Sequence, residues 1–166
     1  SVEQATTLGL GWSAPATLNL LGGAHPLENL TAIGALGVNM SGGSVGSASV
    51  GGGSAMDWSG GQILNGVLVF TGGALEIFGN GFQLAPAANC ALLPESAWAS
   101  APAQFAGAGH CVRGLLADGS SFSTLINSDG TTHFDVVSAV PVPAAAWLLG
   151  SALAGLTGLT GLRRRR

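Results

Sequence analysis

Few residues in this 166-residue chain carry side chains able to do chemistry, and their spacing narrows what that chemistry can be. Cys90 and Cys111 are the two cysteines. In an exported protein two such thiols most simply pair, closing a loop of about 20 residues worth roughly 3 kcal/mol. The alternative is a metal site using His110 beside Cys111, but no second pair of spaced ligands accompanies it. His25, His110 and His133 are far apart in sequence and read as surface histidines. A Ser/His/Asp triad can be assembled on paper from so many serines, but no nucleophile elbow of the Gly-x-Ser-x-Gly type is read in its support. Catalytic, cofactor-binding and metal-binding residues are therefore all read as none.

Charge points the same way. Four of the five basic residues are Arg163, Arg164, Arg165 and Arg166, which leaves Arg113 alone in the body against eight carboxylates. A lysine-free, acidic body has no electrostatic footprint for nucleic acid, and that class is set aside. Only 8% of residues are charged while Gly numbers 28, a composition unlike that of an ordinary soluble enzyme.

The elements that must position these residues show as a repeat. One pattern (apolar, polar, apolar, any residue, Gly, then Gly or Asn) starts at Leu18, Val38, Met56 and Leu75, at separations of 20, 18 and 19 residues. Near-constant spacing of this length is the mark of a solenoid. Seven residues after the later starts lie Val45, Ile63 and Phe82, with Leu27 in the first copy two places late across Ala24-His25-Pro26. Six before each start are Trp12, Ala32, Val50 and Val69, and eight before are Leu10, Leu30, Ala48 and Val67. This alternation predicts strands with one face inward. The glycine pairs supply the φ > 0 corners of a tightly wound coil. Asn19, Asn39, Asp57 and Glu76 should then stack on the outer face. Because Leu10 and Trp12 fit the middle of a coil, further coils and a signal peptide are expected upstream.

The repeat is expected to end after Leu84. Residues 85–110 read as an Ala/Pro-rich insertion. Strands are expected at Cys111–Leu116, Phe122–Ile126 and His133–Val137, separated by turns at Asp118-Gly119 and Asp129-Gly130. Residues 111–139 then form a β-rich cap. An enzyme on this scaffold is not expected. Lyase chemistry on acidic sugars needs an Arg or Lys base, which the coils lack, and their acids fall one per turn instead of in the close pair of a glycosidase. The calcium-repeat string occurs once, as Gly51 to Asp57, where such binding needs it in every nonapeptide.

The tail, residues 140–166, has three parts in fixed order. Val140, Pro141, Val142, Pro143 and Ala144 form an extended lead-in, because two prolines two apart keep the backbone out of a helix. An uncharged span, 144–162, follows, and nineteen helical residues rise roughly 28 Å, close to the thickness of a bilayer core. The four arginines stop transfer and should remain cytoplasmic, which puts the body outside.

These parts resemble the VPLPA class of PEP-CTERM-type sorting signals, with Val142 where that class usually has Leu. The resemblance implies processing by an exosortase of a Gram-negative bacterium, transient anchoring in the inner membrane through 144–162, and release to the cell surface or extracellular matrix, where exopolysaccharide is a further implied contact. Val38 to Gly46 is similar to the short coils of many proteins sorted in this way, which implies a right-handed parallel β-helix. The expected fold is all-β: a parallel β-solenoid of about 19-residue coils over 1–84, a β-rich C-terminal cap and one C-terminal transmembrane helix. The expected function is an exported structural protein without catalysis. The alternatives are an adhesive or carbohydrate-binding module in which Trp98 and Phe105 of the insertion stack on sugars, or a simple membrane-anchored periplasmic protein.

Overall fold

The computed structural model describes residues 15–22, 27–86 and 89–136. Eight strands carry the fold: β1 (Ala16–Leu21), β2 (Leu27–Ile33), β3 (Leu36–Gly51), β4 (Ala55–Val69), β5 (Ala74–Pro86), β6 (Ala99–Ser100), β7 (Gln104–Leu116) and β8 (Ser121–Val136). Two 3₁₀ turns, Cys90–Leu92 and Glu95–Ala97, lie between β5 and β6.

The chain is a β-solenoid of about three turns with a repeat near 19 residues. β3 and β4 each bend at a glycine pair. β1 and β2 stack in parallel on the first and second halves of β3, β4 stacks on the other side of β3, and the start of β5 stacks on the first half of β4. The register is the one the repeat predicts. Leu18, Val38, Met56 and Leu75 form one inward column, and Leu20, Met40, Trp58 and Ile77 the next. On the second face Leu30, Ala48 and Val67 align, as do Ala32, Val50 and Val69. Both sets of columns close on a single core, in which Met40, Val50, Met56, Trp58, Val69, Leu75 and Ile77 have no exposed surface. No coil could bury its inner face alone, and fully burying one such side chain contributes about 1.5–3 kcal/mol, so stacking is what makes the strands stable. Leu10 and Trp12 lie outside the described residues.

Gly61 shows why the corners need glycine. Its φ is +83°, and a Cβ there would sit 2.6 Å from the Gly43 carbonyl oxygen of the coil below. Both the backbone conformation and the space exclude a side chain.

The stack changes character at Gly79. A Cβ at this position would overlap the Leu115 carbonyl, and the glycine lets β7 approach. From here β5 leaves the coil and pairs antiparallel with β7, from Gly79↔Leu116 to Pro86↔His110. β8 fills the vacated position. Ile126–Ser128 pair in parallel with Val67–Val69, and Thr131–Val136 then pair in parallel with Ala74–Gly79. Phe82, expected in the column of Leu27, Val45 and Ile63, is therefore not there; it packs between Phe122 and Phe134 at ring-centroid distances of 6.2 and 5.0 Å.

Two further expectations are corrected. Asp129-Gly130 does not separate two strands, because β8 runs through it as a coil corner stacked on the corner below, with Thr71 Oγ1 donating to Asp129 Oδ2 at 3.4 Å. The strand expected to begin at Cys111 begins at Gln104 instead. That early portion pairs antiparallel with β8, Phe105 opposite Thr132, and so covers the edge that the last coil would otherwise leave open. Among the described residues no helix is long and apolar enough to cross a membrane; the span expected at 144–162 lies outside them.

Candidate functional site

Three groups of chemistry-bearing side chains are positioned by this fold. The first is the outward ladder. Asn19, Asn39, Asp57 and Glu76 are in register as expected, and β8 adds His133 opposite Glu76. Asn39 Nδ2 donates to Asn19 Oδ1 at 2.8 Å, the side-chain ladder bond such stacking permits. Partial burial, and then the nearby Asp135 carboxylate, push the Asp57 carboxyl above its ordinary value.

The second group fastens the insertion. Cys90 and Cys111 form a disulfide with Cα atoms 5.3 Å apart. Asn89 caps the first 3₁₀ turn, its Oδ1 accepting from the Ala91 amide at 3.1 Å. Arg113 then holds three partners at once: Nε donates to Gln83 Oε1 at 2.7 Å, both terminal nitrogens donate to the Glu95 carboxylate, and the guanidinium lies 4.3 Å from the centre of the Trp98 ring. The hydrogen bonds from Arg113 hold the Glu95 carboxyl below its ordinary value, against a smaller opposing effect of desolvation. A depressed carboxylate stabilises fully above its unfolded pKa, and this contribution fades as pH falls through the folded value. Sequence reading passes over this cluster, although Arg113 is the sole Lys or Arg of residues 1–162 and so the only permanent cation available to a carboxylate there.

Trp98 and Phe105, grouped by sequence reading as sugar-stacking candidates, are placed differently. Trp98 is half-buried beneath Arg113. Phe105 stacks on Phe134, 14° between planes at 5.4 Å, and packs against the core. Asp118 in the β7–β8 turn is another tie. Burial works to raise its carboxyl, yet hydrogen bonds from the Ser120 hydroxyl and amide and from the Gly61 amide outweigh burial and lower it. His110 and His133 belong to β7 and β8, whereas His25 lies outside the described residues. The string Gly42-Gly43-Ser44-Val45-Gly46 spells Gly-x-Ser-x-Gly, a match that sequence reading also passes over. It runs through a corner of β3 with no helix after it, so the strand–turn–helix setting of a nucleophile elbow is missing.

The third group lines an open cleft of about 450 Å³ between β4, β8 and the first 3₁₀ turn. Its lining is Leu64, Asn65, Asn89, Cys90, Ala91, Ser123, Thr124 and Leu125, with no charged residue. Sequence reading assigns nothing here, since the cleft exists only because an excursion of some forty residues returns to the coil it left. Among the described residues no group of His, Cys, Asp and Glu is arranged to hold a metal ion. The sorting-motif residues Val140 to Ala144 and the arginines 163–166 lie outside the described residues.

Comparison with protein-family models, with curated proteins and with solved structures finds no match.

Proposed function

We propose that this chain is an exported, exosortase-processed structural component of a bacterial cell surface or extracellular matrix. The observation that carries the reading is the tail: Val140-Pro141-Val142-Pro143-Ala144, an uncharged apolar span and four arginines, in that order. Two properties of the body support it. A disulfide staples the insertion to β7, as suits a protein matured in an oxidising compartment. The charged side chains that the fold brings together, Arg113 with Glu95 and Asp118 with the Gly61 amide, join one element to another.

On this reading the tail is an address. The Pro-x-Pro segment is what a processing enzyme would read, that enzyme's own nucleophile would perform the cleavage, and the solenoid is what stays behind. Mass spectrometry of the mature protein from its native host tests the proposal. The expected C-terminus falls within Pro141 to Ala144, with residues 145–166 absent. Arg166 retained on all mature material would overturn exosortase processing and leave a plain membrane anchor.

A further inference from the structure

We propose that the cleft between β4 and β8 is a binding site for a neutral sugar unit. The argument starts from a gap in the sheet. β4 and β8 pair only over Val67–Val69 and Ile126–Ser128. Ahead of those residues the strands part, and Leu64 and Asn65 of β4 turn outward side by side, Leu64 with 60% of its surface exposed. Neighbouring strands of a coil normally close such a gap with their own hydrogen bonds. Here it is roofed by the first 3₁₀ turn and stays open at about 450 Å³, within the range of small-molecule sites, about 300–1,000 Å³.

The second observation is that the exposed side chains of the lining include three polar ones. They are Asn65, Ser123 and Asn89, the last with its Oδ1 already engaged by Ala91 and its amide nitrogen left to donate. Thr124 lines the cleft too, but its Oγ1 has no accessible surface and meets no ligand there.

The chemistry of the lining selects the ligand. With no charged side chain among the lining residues, a phosphate, uronate or amine would be desolvated without a counter-charge. Amides and hydroxyls that both donate and accept match the hydroxyl edge of a sugar, while Leu64, Leu125 and Ala91 offer apolar surface to its C–H face. The roof is fixed, because Asn89 caps the turn and the disulfide ties Cys90 to Cys111, which is paired directly with Leu125. A site held in shape before binding loses less on ordering. This assignment is independent of whether the tail is processed.

The test is titration of the full chain, in a detergent without a sugar headgroup, with a panel of neutral and acidic oligosaccharides, read by calorimetry. Binding of at least one neutral member is expected. Asn65→Ala should weaken it at least tenfold and Ser123→Ala several-fold, while Trp98→Ala, outside the cleft, leaves it unchanged. Asn65 is exposed, and an unaltered melting curve for its variant shows that the fold survives. No binding by any neutral member would overturn the proposal. Loss of binding with Trp98→Ala but not with Asn65→Ala would also overturn it, as would selective binding of acidic members.

Discussion

In the coil stack, each residue meets its own counterpart one turn away. In the closure at the C-terminal end, residues meet partners of another kind from distant parts of the chain. Asn39 bonds Asn19, Val50 lies on Ala32, and Trp58 takes the column of Met40. In the closure Cys90 reaches Cys111, Arg113 reaches back to Gln83 and Glu95, and Phe82 leaves its column to sit between Phe122 and Phe134. A repeat solves one packing problem and reuses the solution, whereas an end has to be solved once. The aromatic residues follow this division. Trp58, Phe122, Phe82, Phe134 and Phe105 make a continuous run of ring contacts from the last ordinary coil to the edge.

Trp58 belongs to both regions, and its removal should have the largest effect. It is fully buried, its Nε1 donates to the Gly60 carbonyl at 3.1 Å, and its ring centre is 4.8 Å from that of Phe122. Trp58→Ala should cost about 3–5 kcal/mol in equilibrium denaturant unfolding. If coils and closure form one cooperative unit, β3 and β7 amides should lose exchange protection together. Protection lost in one alone would split the molecule into two.

Breaking the disulfide should be next in size and confined to the closure. The Cys90→Ser, Cys111→Ser double variant opens a loop with a sequence separation of 21 residues and should lose about 3 kcal/mol. Exchange protection should fall around the first 3₁₀ turn and β7, and hold in β3. Equal losses in both regions would mean that the coils lean on the closure far more than the register suggests.

Legibility in the sequence divides along the same line. The coil columns could be read because stacking maps a spatial neighbour onto a fixed offset of 18 to 20 residues, so that Leu18, Val38, Met56 and Leu75 announce one another. The closure offers no such offset. Nothing local marks Gly79 as the place where β5 departs, because its role is to admit the Leu115 carbonyl from 36 residues on. Asp129-Gly130 has the composition of a hairpin turn and serves as a coil corner, since the same two residues satisfy both and only the pairing of β8 with β4 and β5 distinguishes them. The cleft was illegible for the same reason: Asn65 and Ser123 share a wall only after the excursion closes.

A change at a corner should separate the regions in the opposite direction to the disulfide. Gly61→Ala forces a left-handed conformation on alanine and pushes its Cβ against the Gly43 carbonyl. A loss of about 1–3 kcal/mol is expected, with exchange protection falling first around the β3 and β4 corners. A loss confined to the β7–β8 turn, which touches Gly61 through Asp118, would show that this tie matters more than the coil geometry.

The smallest effect should be a gain. Asp57 stands in the outward ladder where the two coils before it carry asparagine, and burial together with Asp135 raises its carboxyl. The sign follows from linkage. A carboxyl whose folded pKa is raised favours the folded state when protonated, and this advantage is present below the unfolded value and lost as pH rises through the folded one. At neutral pH Asp57 is therefore ionised at a cost. Asp57→Asn removes that cost and can continue the amide ladder from Asn39. Asp57 is only partly buried, and solvent screening keeps the gain within about 1 kcal/mol. Thermal melts of the two proteins should differ at pH 7 in favour of the Asp57→Asn variant and converge as pH falls below the unfolded carboxylate range. A gain that persists undiminished in acid would assign it to the amide ladder bond and not to charge. A loss at neutral pH would mean that the carboxylate is held by partners on the outer face, making that column a polar site of its own.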